Sequence, residues 1–321
     1  MSGSTTRLRA GGVSPRDWAE HTPFSDPGPH APVLAGVAPQ PEAVHAAVTG
    51  LVAHYRGEAA VLDPARVSEV DLRWCERILD VGLARSPQLA GRSSDLRGGG
   101  CCRDHTLLAV AVLRQHGVPA RSRVGFAAYF VPNFHVDHVV VEQWDGERWV
   151  LWDAELPEGF GAAPFAGEPF DVRDIRTGVH GPFVTAAQAW LAHRRDGLDL
   201  SRFGVAPGID IGGRDFVRAY VRLEAAHRRG DELLLWDVWG PGAETAGPED
   251  PVGPPDEADR LADEVADLLV RADAGDAGAE WALAARYADD DRLHPGDAVR
   301  IWSPLGRVGT ADLAARTTTW D

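Results

Sequence analysis

The feature that most constrains the fold of this chain is a helix enclosed in the core, followed by two strands. All three lie within residues 100–153. The run 106–113 is apolar on nearly every side, which is typical of a buried helix. Gly117 suits the left-handed position that follows a helix, and Pro119 prevents the helix from continuing. The sequence therefore predicts an enclosed helix that ends close to Gly117.

Segments 137–144 and 148–153 are rich in β-branched and aromatic residues, which is typical of strands. They are separated by Asp145-Gly146, a dipeptide that tolerates the backbone angles of a tight hairpin turn. The sequence therefore predicts an antiparallel hairpin after the enclosed helix.

Two registers of this hairpin bring a carboxylate to His138. A turn of two residues places Asp153 directly opposite His138 on the same face, with Cβ atoms roughly 4.5–5.5 Å apart. A turn of four residues places Glu155 opposite His138, and Asp153 becomes a diagonal neighbour on that face. The turn sequence does not choose between the two registers.

Two adjacent thiols, Cys101 and Cys102, stand where the enclosed helix begins. The three glycines at 98–100 allow the backbone to turn sharply into the helix. The positive end of the helix dipole favours a thiolate, so the sequence predicts a lowered pKa for a cysteine at this position. We expect Cys102 to be the reactive thiol and Cys101 to pack in the core, as free cysteines often do.

Five motifs follow one another along this region in the order found in one known family. They are Gly100-Cys101-Cys102-Arg103-Asp104-His105, Leu113-Arg114-Gln115-His116-Gly117-Val118-Pro119-Ala120-Arg121, Gly125-Phe126, Asp137-His138 and Trp149-Val150-Leu151-Trp152-Asp153. In this order they resemble the core of the transglutaminase-like superfamily, whose members are similar to papain-like thiol enzymes. The resemblance is strong over about residues 95–160, and the flanking segments resemble an uncharacterised bacterial branch.

The resemblance implies an α+β fold with a transglutaminase-like or papain-like core. In that core a helix-borne Cys packs on an antiparallel sheet, and we expect helical N- and C-terminal extensions around it. The resemblance also implies roles for three residues. Cys102 would be the nucleophile, His138 the general base and then acid, and Asp153 the group that orients the imidazole.

These groups predict cysteine-dependent acyl transfer on an amide, of a peptide or a small molecule, through a thioester. The acceptor can be water or an amine, and the sequence does not separate the two. The backbone N–H of Cys102 is one expected oxyanion donor. Trp74, Gln88 and Trp144 are the candidates for the second. The alternative function is a non-catalytic interaction module of the same fold, which the presence of all three triad residues disfavours.

No cofactor and no metal are expected. His135, Asp137 and His138 together with the cysteine pair contain good zinc ligands. However, they lack the paired spacing of zinc sites, and a strand places His135 and His138 on opposite faces.

Composition excludes several classes of partner. A net charge of −16 argues against nucleic acid and against anionic membranes. No apolar run approaches the length of a membrane span, and residues 1–12 lack the apolar stretch of a signal peptide. Three cysteines form no disulfide framework. We therefore expect a cytoplasmic protein. Its expected partner is an amide or peptide substrate, and an amine is one of the two acceptors left open above.

Four segments are expected along the chain. They are a loosely ordered segment 1–40, a transglutaminase-like domain 41–240 with its core at 95–160, a Pro- and Gly-rich linker 241–256, and a helical C-terminal extension 257–321. Within the domain, the first helix is expected from Pro41 to about Tyr55.

Overall fold

The computed structural model describes residues 14–60, 62–162, 168–240 and 255–321. Its helices, apart from short 3-10 turns, are α1 Ala31–Ala35, α2 Pro41–Leu51, α3 Cys75–Arg85, α4 Cys102–Gln115, α5 Ala186–Asp196, α6 Arg214–Arg229, α7 Pro255–Asp273 and α8 Ala277–Asp289. Its strands are β1 Val52–His54, β2 Gly98–Gly100, β3 Ala120–Val131, β4 Phe134–Trp144, β5 Trp149–Trp152, β6 Phe183–Thr185, β7 Phe203–Gly204, β8 Asp237–Val238, β9 Ala298–Trp302, β10 Val308–Asp312 and β11 Thr317–Trp320. The predicted α+β class is confirmed.

The central sheet has the strand order β5-β4-β3-β6, and β7 pairs with β4 beside this path. Neighbouring strands along this path are antiparallel, whereas β7 runs parallel to β4. Helix α4 packs on β3 and β4, and α6 packs on β3. Thirteen of the fourteen residues of α4 are buried, as the apolar run predicts, so this helix forms the centre of the core.

The β4–β5 hairpin adopts the four-residue turn, with Val141 paired to Trp152. Asp145 is responsible, because its carboxylate accepts hydrogen bonds from the N–H groups of Glu147 and Arg148, both at 2.8 Å. Its own N–H donates to the Arg148 carbonyl at 3.1 Å and closes the turn. The register in which Asp153 is a diagonal neighbour of the imidazole is therefore the one observed.

The first long helix ends earlier than predicted, at Leu51, and the chain continues as strand β1. β1 pairs in parallel with β2, the three glycines before the cysteines. These glycines are extended, and none has a positive φ, so the predicted sharp turn is wrong. They are required by close packing: a Cβ on Gly99 would lie 2.5 Å from the carbonyl oxygen of Arg66.

Residues 14–40, expected to be loosely ordered, instead pack on the core. Trp18, Phe24 and Leu34 are buried, and the Trp18 indole N–H donates to the Arg228 carbonyl at 2.9 Å. Large apolar side chains thus fix a segment whose Gly and Pro content suggested a loop. Residues 1–13 lie outside the described residues.

The C-terminal residues, expected to be helical, contain strands as well. After α7 and α8, strands β9, β10 and β11 form an antiparallel sheet that β8 completes at its edge. Buried Val299 and Ile301 alternate with more exposed residues, which is the period of a half-buried strand. Of the predicted linker, residues 241–254 lie outside the described part, and 255–256 belong to α7. No helix of the described residues has the length and apolar character needed to cross a bilayer.

Candidate active site

Hydrogen bonds among buried polar groups hold the start of α4 in place. Cys101 is the residue before the helix, and its N–H donates to the Asp104 carboxylate at 2.8 Å. The other oxygen of Asp104 accepts from Arg103 at 3.0 Å, and the Arg103 guanidinium also donates to the Glu232 carbonyl at 3.1 Å. Cys102 is therefore the first residue of a helix whose position is fixed by buried charges.

One face of α4 shows where Cys102 points. Cys102, His105 and Thr106 are three and four positions apart, so their side chains share that face. The His105 Nε2 lies 3.1 Å from the Val52 carbonyl oxygen on β1. The Thr106 hydroxyl donates to the Val139 carbonyl on β4 at 2.8 Å. Cys102 therefore faces the place where β1 and β4 meet the helix.

His138, which precedes Val139 on β4, forms a buried pair with Asp153. Its Nε2 lies 2.7 Å from the Asp153 Oδ2. The same oxygen accepts from the Tyr129 hydroxyl at 2.8 Å, and Oδ1 accepts from the Glu155 N–H at 2.9 Å. This arrangement commits Nε2 to the carboxylate. Nδ1 makes no hydrogen bond within the described residues, so it is the ring nitrogen left for the thiol.

The charges of this pair support one another. Burial lowers the pKa of His138, but Asp153 raises it by its charge and its hydrogen bond, and the net effect is a pKa above the usual 6.5. Burial raises the pKa of Asp153, and His138 and Tyr129 more than compensate, so this carboxyl stays ionised below its usual range. The imidazole is thus oriented by a permanent negative charge.

The Cys102 thiol differs from the sequence prediction. A hydrogen bond with Cys101 and burial raise the pKa of Cys102 well above 9.0, and the carboxylates Glu155 and Asp137 raise it further. The pKa of this thiol is raised and not lowered, so the predicted lowering is wrong. The same two carboxylates also raise the pKa of His138, but within the described residues no hydrogen bond joins the Cys102 sulfur to the imidazole. At neutral pH the sulfur carries its proton and needs a base.

The second thiol, Cys101, is as buried as Cys102, and both are 3% exposed. The three cysteines of the chain are free. The hydrogen bond with Cys102 lowers the pKa of Cys101, but burial and the charge of Asp104 raise it, with a net increase. Packing in the core stays the prediction for Cys101.

The three predicted second oxyanion donors are not favoured by their positions. Gln88 is exposed. Trp144 ends β4, six residues after the imidazole and hence roughly 20 Å along the strand. Trp74 is buried with its Nε1 unpaired. However, the backbone carbonyl of the residue before it accepts a hydrogen bond from Arg103. The Arg103 side chain leaves α4 about a quarter turn away from that of Cys102, so Trp74 lies on a different side of the helix.

The sequence predicts Tyr129 as a core or cleft-wall aromatic residue, and its hydrogen bond to Asp153 was not predicted. It lies on β3, whose register with β4 shifts between residues 127 and 131. Counting from the β3–β4 turn therefore places the wrong residues opposite one another, and the sequence shows no signal for the shift.

The histidine and acid residues considered for zinc have other contacts. His135 stacks on Phe203 with ring centroids 4.2 Å apart. Asp137 accepts from the Tyr220 hydroxyl at 2.7 Å. Within the described residues, no three His, Cys, Asp or Glu side chains are grouped to hold a metal ion.

Comparison with known proteins finds a family model that matches part of this chain. Residues 88–154 match the transglutaminase-like superfamily. Among solved structures, a "putative cysteine protease" from Cytophaga hutchinsonii is similar, with 15% identity and a TM-score of 0.30. The similarity covers 43% of this chain and 40% of the Cytophaga protein, so this chain spans less than half of that protein's length. Comparison with curated proteins gives no match. Within this α+β fold, residues 88–154 are thus similar to the transglutaminase-like superfamily.

Proposed function

We propose that this protein catalyses cysteine-dependent acyl transfer on an amide through a thioester on Cys102. The buried pair of His138 and Asp153, 2.7 Å apart, carries the proposal. An imidazole oriented by an ionised carboxylate, together with a thiol at a helix start, is the equipment of a cysteine nucleophile. The superfamily match over the same residues supports it.

The raised pKa of Cys102 determines how the reaction would begin. His138 Nδ1 takes the thiol proton while Sγ bonds to the amide carbon, and the carbonyl electron pair moves onto oxygen. The backbone N–H of Cys102, which has no acceptor inside the helix, binds that oxygen. The carbon–nitrogen bond then breaks, and His138 returns the proton to the leaving amine. Water or a second amine attacks the thioester with the same base.

Access to the sulfur requires movement, because Cys102 is 3% exposed. The Phe130 ring lies edge-on to the imidazole, with centroids 4.9 Å apart, and Phe160 lies 6.2 Å from Phe130. These aromatic side chains give the site an apolar surround, which suits an acyl group better than a free ion.

The test is acylation by 4-nitrophenyl acetate, an activated ester, followed by intact mass and peptide mapping. We expect one acetyl group on Cys102, none in Cys102→Ala, and an unchanged result in the matched variant Cys101→Ala. Acetylation that persists in Cys102→Ala and disappears in Cys101→Ala would assign the nucleophile to the other thiol.

A second measurement separates hydrolysis from transfer. Preformed acetyl enzyme is followed by mass with and without a primary amine. Amine-dependent loss of the acetyl group, with the acetylated amine as product, indicates transfer, whereas equal loss in water indicates a hydrolase. A chain in which no cysteine is acylated would instead be a non-catalytic interaction module.

A further inference from the structure

His54 is held beside the start of the cysteine helix. It ends β1 and is paired in the parallel register with Gly100, two positions before Cys102. His105 shares a helix face with Cys102 and contacts the carbonyl of Val52 on the same strand. His54 lies two residues after Val52, so their side chains share a face of β1, the strand that His105 contacts beside the start of α4.

Two backbone groups fix the tautomer of His54. Its Nδ1 accepts hydrogen bonds from the N–H groups of Arg56 at 3.2 Å and Gly57 at 3.1 Å. A neutral imidazole that accepts at Nδ1 carries its proton on Nε2. Among residues 14–60, 62–162, 168–240 and 255–321, that Nε2 makes no hydrogen bond. The ring thus holds one N–H donor ready for a group from outside.

The same surroundings keep His54 neutral and rigid. Burial lowers the pKa of His54 to about 4, and the nearby His138 and Arg56 contribute in the same direction. The His54 N–H donates to the Glu58 carboxylate at 3.0 Å, and the His54 carbonyl accepts from the Glu58 N–H at 2.8 Å. Donors fixed before reaction are the most effective in an oxyanion hole, because they need no reorganisation.

We infer that the Nε2–H of His54 is the second oxyanion donor, beside the backbone N–H of Cys102. The inference rests on the acyl transfer proposed above and gives that reaction a further catalytic residue. As the sulfur–carbon bond forms, the carbonyl electron pair moves onto oxygen, and both N–H groups bind it without giving up their protons. The pair returns to the carbon–oxygen bond when the amine leaves.

Two other donors lie near this site and serve as comparisons. The Tyr55 ring stacks on His54, with centroids 5.6 Å apart at 21°, and carries a hydroxyl. Trp74 has an unpaired indole N–H on the Arg103 side of the helix.

Two complementary variants separate the donor from the turn that holds it. In His54→Asn the amide oxygen replaces Nδ1 as acceptor for the turn, and the donor at Nε2 is lost. In His54→Gln the amide nitrogen replaces Nε2 as donor, and the turn acceptor is lost. Each is compared with wild type in acylation by 4-nitrophenyl acetate and in alkylation by iodoacetamide. Only acylation forms an oxyanion, since alkylation is a displacement at a saturated carbon.

We expect His54→Asn to slow acylation of Cys102 by about 10²–10³-fold, the loss typical of one oxyanion donor, and to leave alkylation unchanged. His54→Gln should recover most of the acylation rate, and Tyr55→Phe and Trp74→Phe should match wild type. Equal slowing of both reactions in His54→Asn would show a structural role and overturn the inference. Slowing in Tyr55→Phe or Trp74→Phe alone would move the donor there. A wild-type protein with reactive Cys102 that no ester acylates would overturn the acyl-transfer proposal itself.

Discussion

At the scale of single residues, the proton on His138 decides when Cys102 can react. The thiol is protonated at neutral pH because Cys101, burial and two carboxylates all raise its pKa. Only a neutral imidazole can remove that proton, and Asp153 raises the pH at which the imidazole becomes neutral. One carboxylate thus orients the base and also sets its working range.

Acylation of Cys102 is expected to accelerate as pH rises through the pKa of His138, above 6.5. Asp153→Asn removes the charge that raises this pKa, so the profile should shift to lower pH. Its plateau should fall by up to about 10⁴-fold, as when Asn replaces the orienting Asp of a serine triad. The measurement is the rate of 4-nitrophenol release between pH 5 and 9. Tyr129→Phe keeps the carboxylate and is the control. An unshifted Asp153→Asn profile would contradict this role.

Residue chemistry was the part of the candidate site that the sequence could predict. Cys102, His138 and Asp153 were identified by order and type, and His138 and Asp153 do lie together. The direction of the Cys102 pKa was not predictable, because it depends on burial and on Asp137 and Glu155 brought in from other elements. His54 was hidden for a related reason, since it was assigned to a helix that ends three residues earlier.

At the scale of elements, the glycine strand β2 positions the cysteine. It lies between β1 and the 3-10 helix Pro64–Asp71, and because its residues are glycines, its backbone can approach both neighbours closely. Periodicity predicts helices and strands well when apolar residues mark a face, as in α4, β4 and β5. A run of glycines carries no such pattern, and it therefore suggested a turn.

Gly99→Ala is expected to destabilise the protein, because its Cβ would lie 2.5 Å from the backbone oxygen of Arg66. Overpacking of this kind costs about 1–3 kcal/mol. Gly57→Ala is the matched control, since its Cβ would meet its nearest atoms at 3.7 Å, an ordinary contact. Urea unfolding measures both. Equal free energies of unfolding for the two variants would show that β2 tolerates side chains.

At the scale of the whole molecule, buried charges tie the C-terminal helices to the sheet. Asp273 at the end of α7 pairs with Arg123 on β3 at 2.6 Å and with Arg228 on α6 at 2.5 Å. Glu280 on α8 pairs with Arg228 at 2.6 Å. The partners Arg123 and Asp273 are 150 positions apart, so no local pattern could predict the pair. Long-range pairing is the part of the fold that this sequence did not disclose.

Asp273→Asn should lower the free energy of unfolding by about 3 kcal/mol, at the lower end for a broken buried ion pair, because Asp273 is 24% exposed. Asp267→Asn on the same helix is the control. Its partners Arg195 and Arg271 lie 2.9 and 3.5 Å away, but all three side chains are exposed, and such pairs contribute less than about 1 kcal/mol each. Thermal or urea unfolding distinguishes them. A similar loss in both variants would mean that the two pairs are equally solvated.

The length of the turn at residues 145–148 also determines whether Asp153 lies on the same face as His138. Side chains alternate between the faces of a strand, so shortening this turn by a single residue would invert every later position of β5. The carboxylate of Asp153 would then leave the imidazole and face the opposite way, although each residue of the triad would still be encoded. In relatives of this chain, the spacing between His and Asp should therefore change in steps of two.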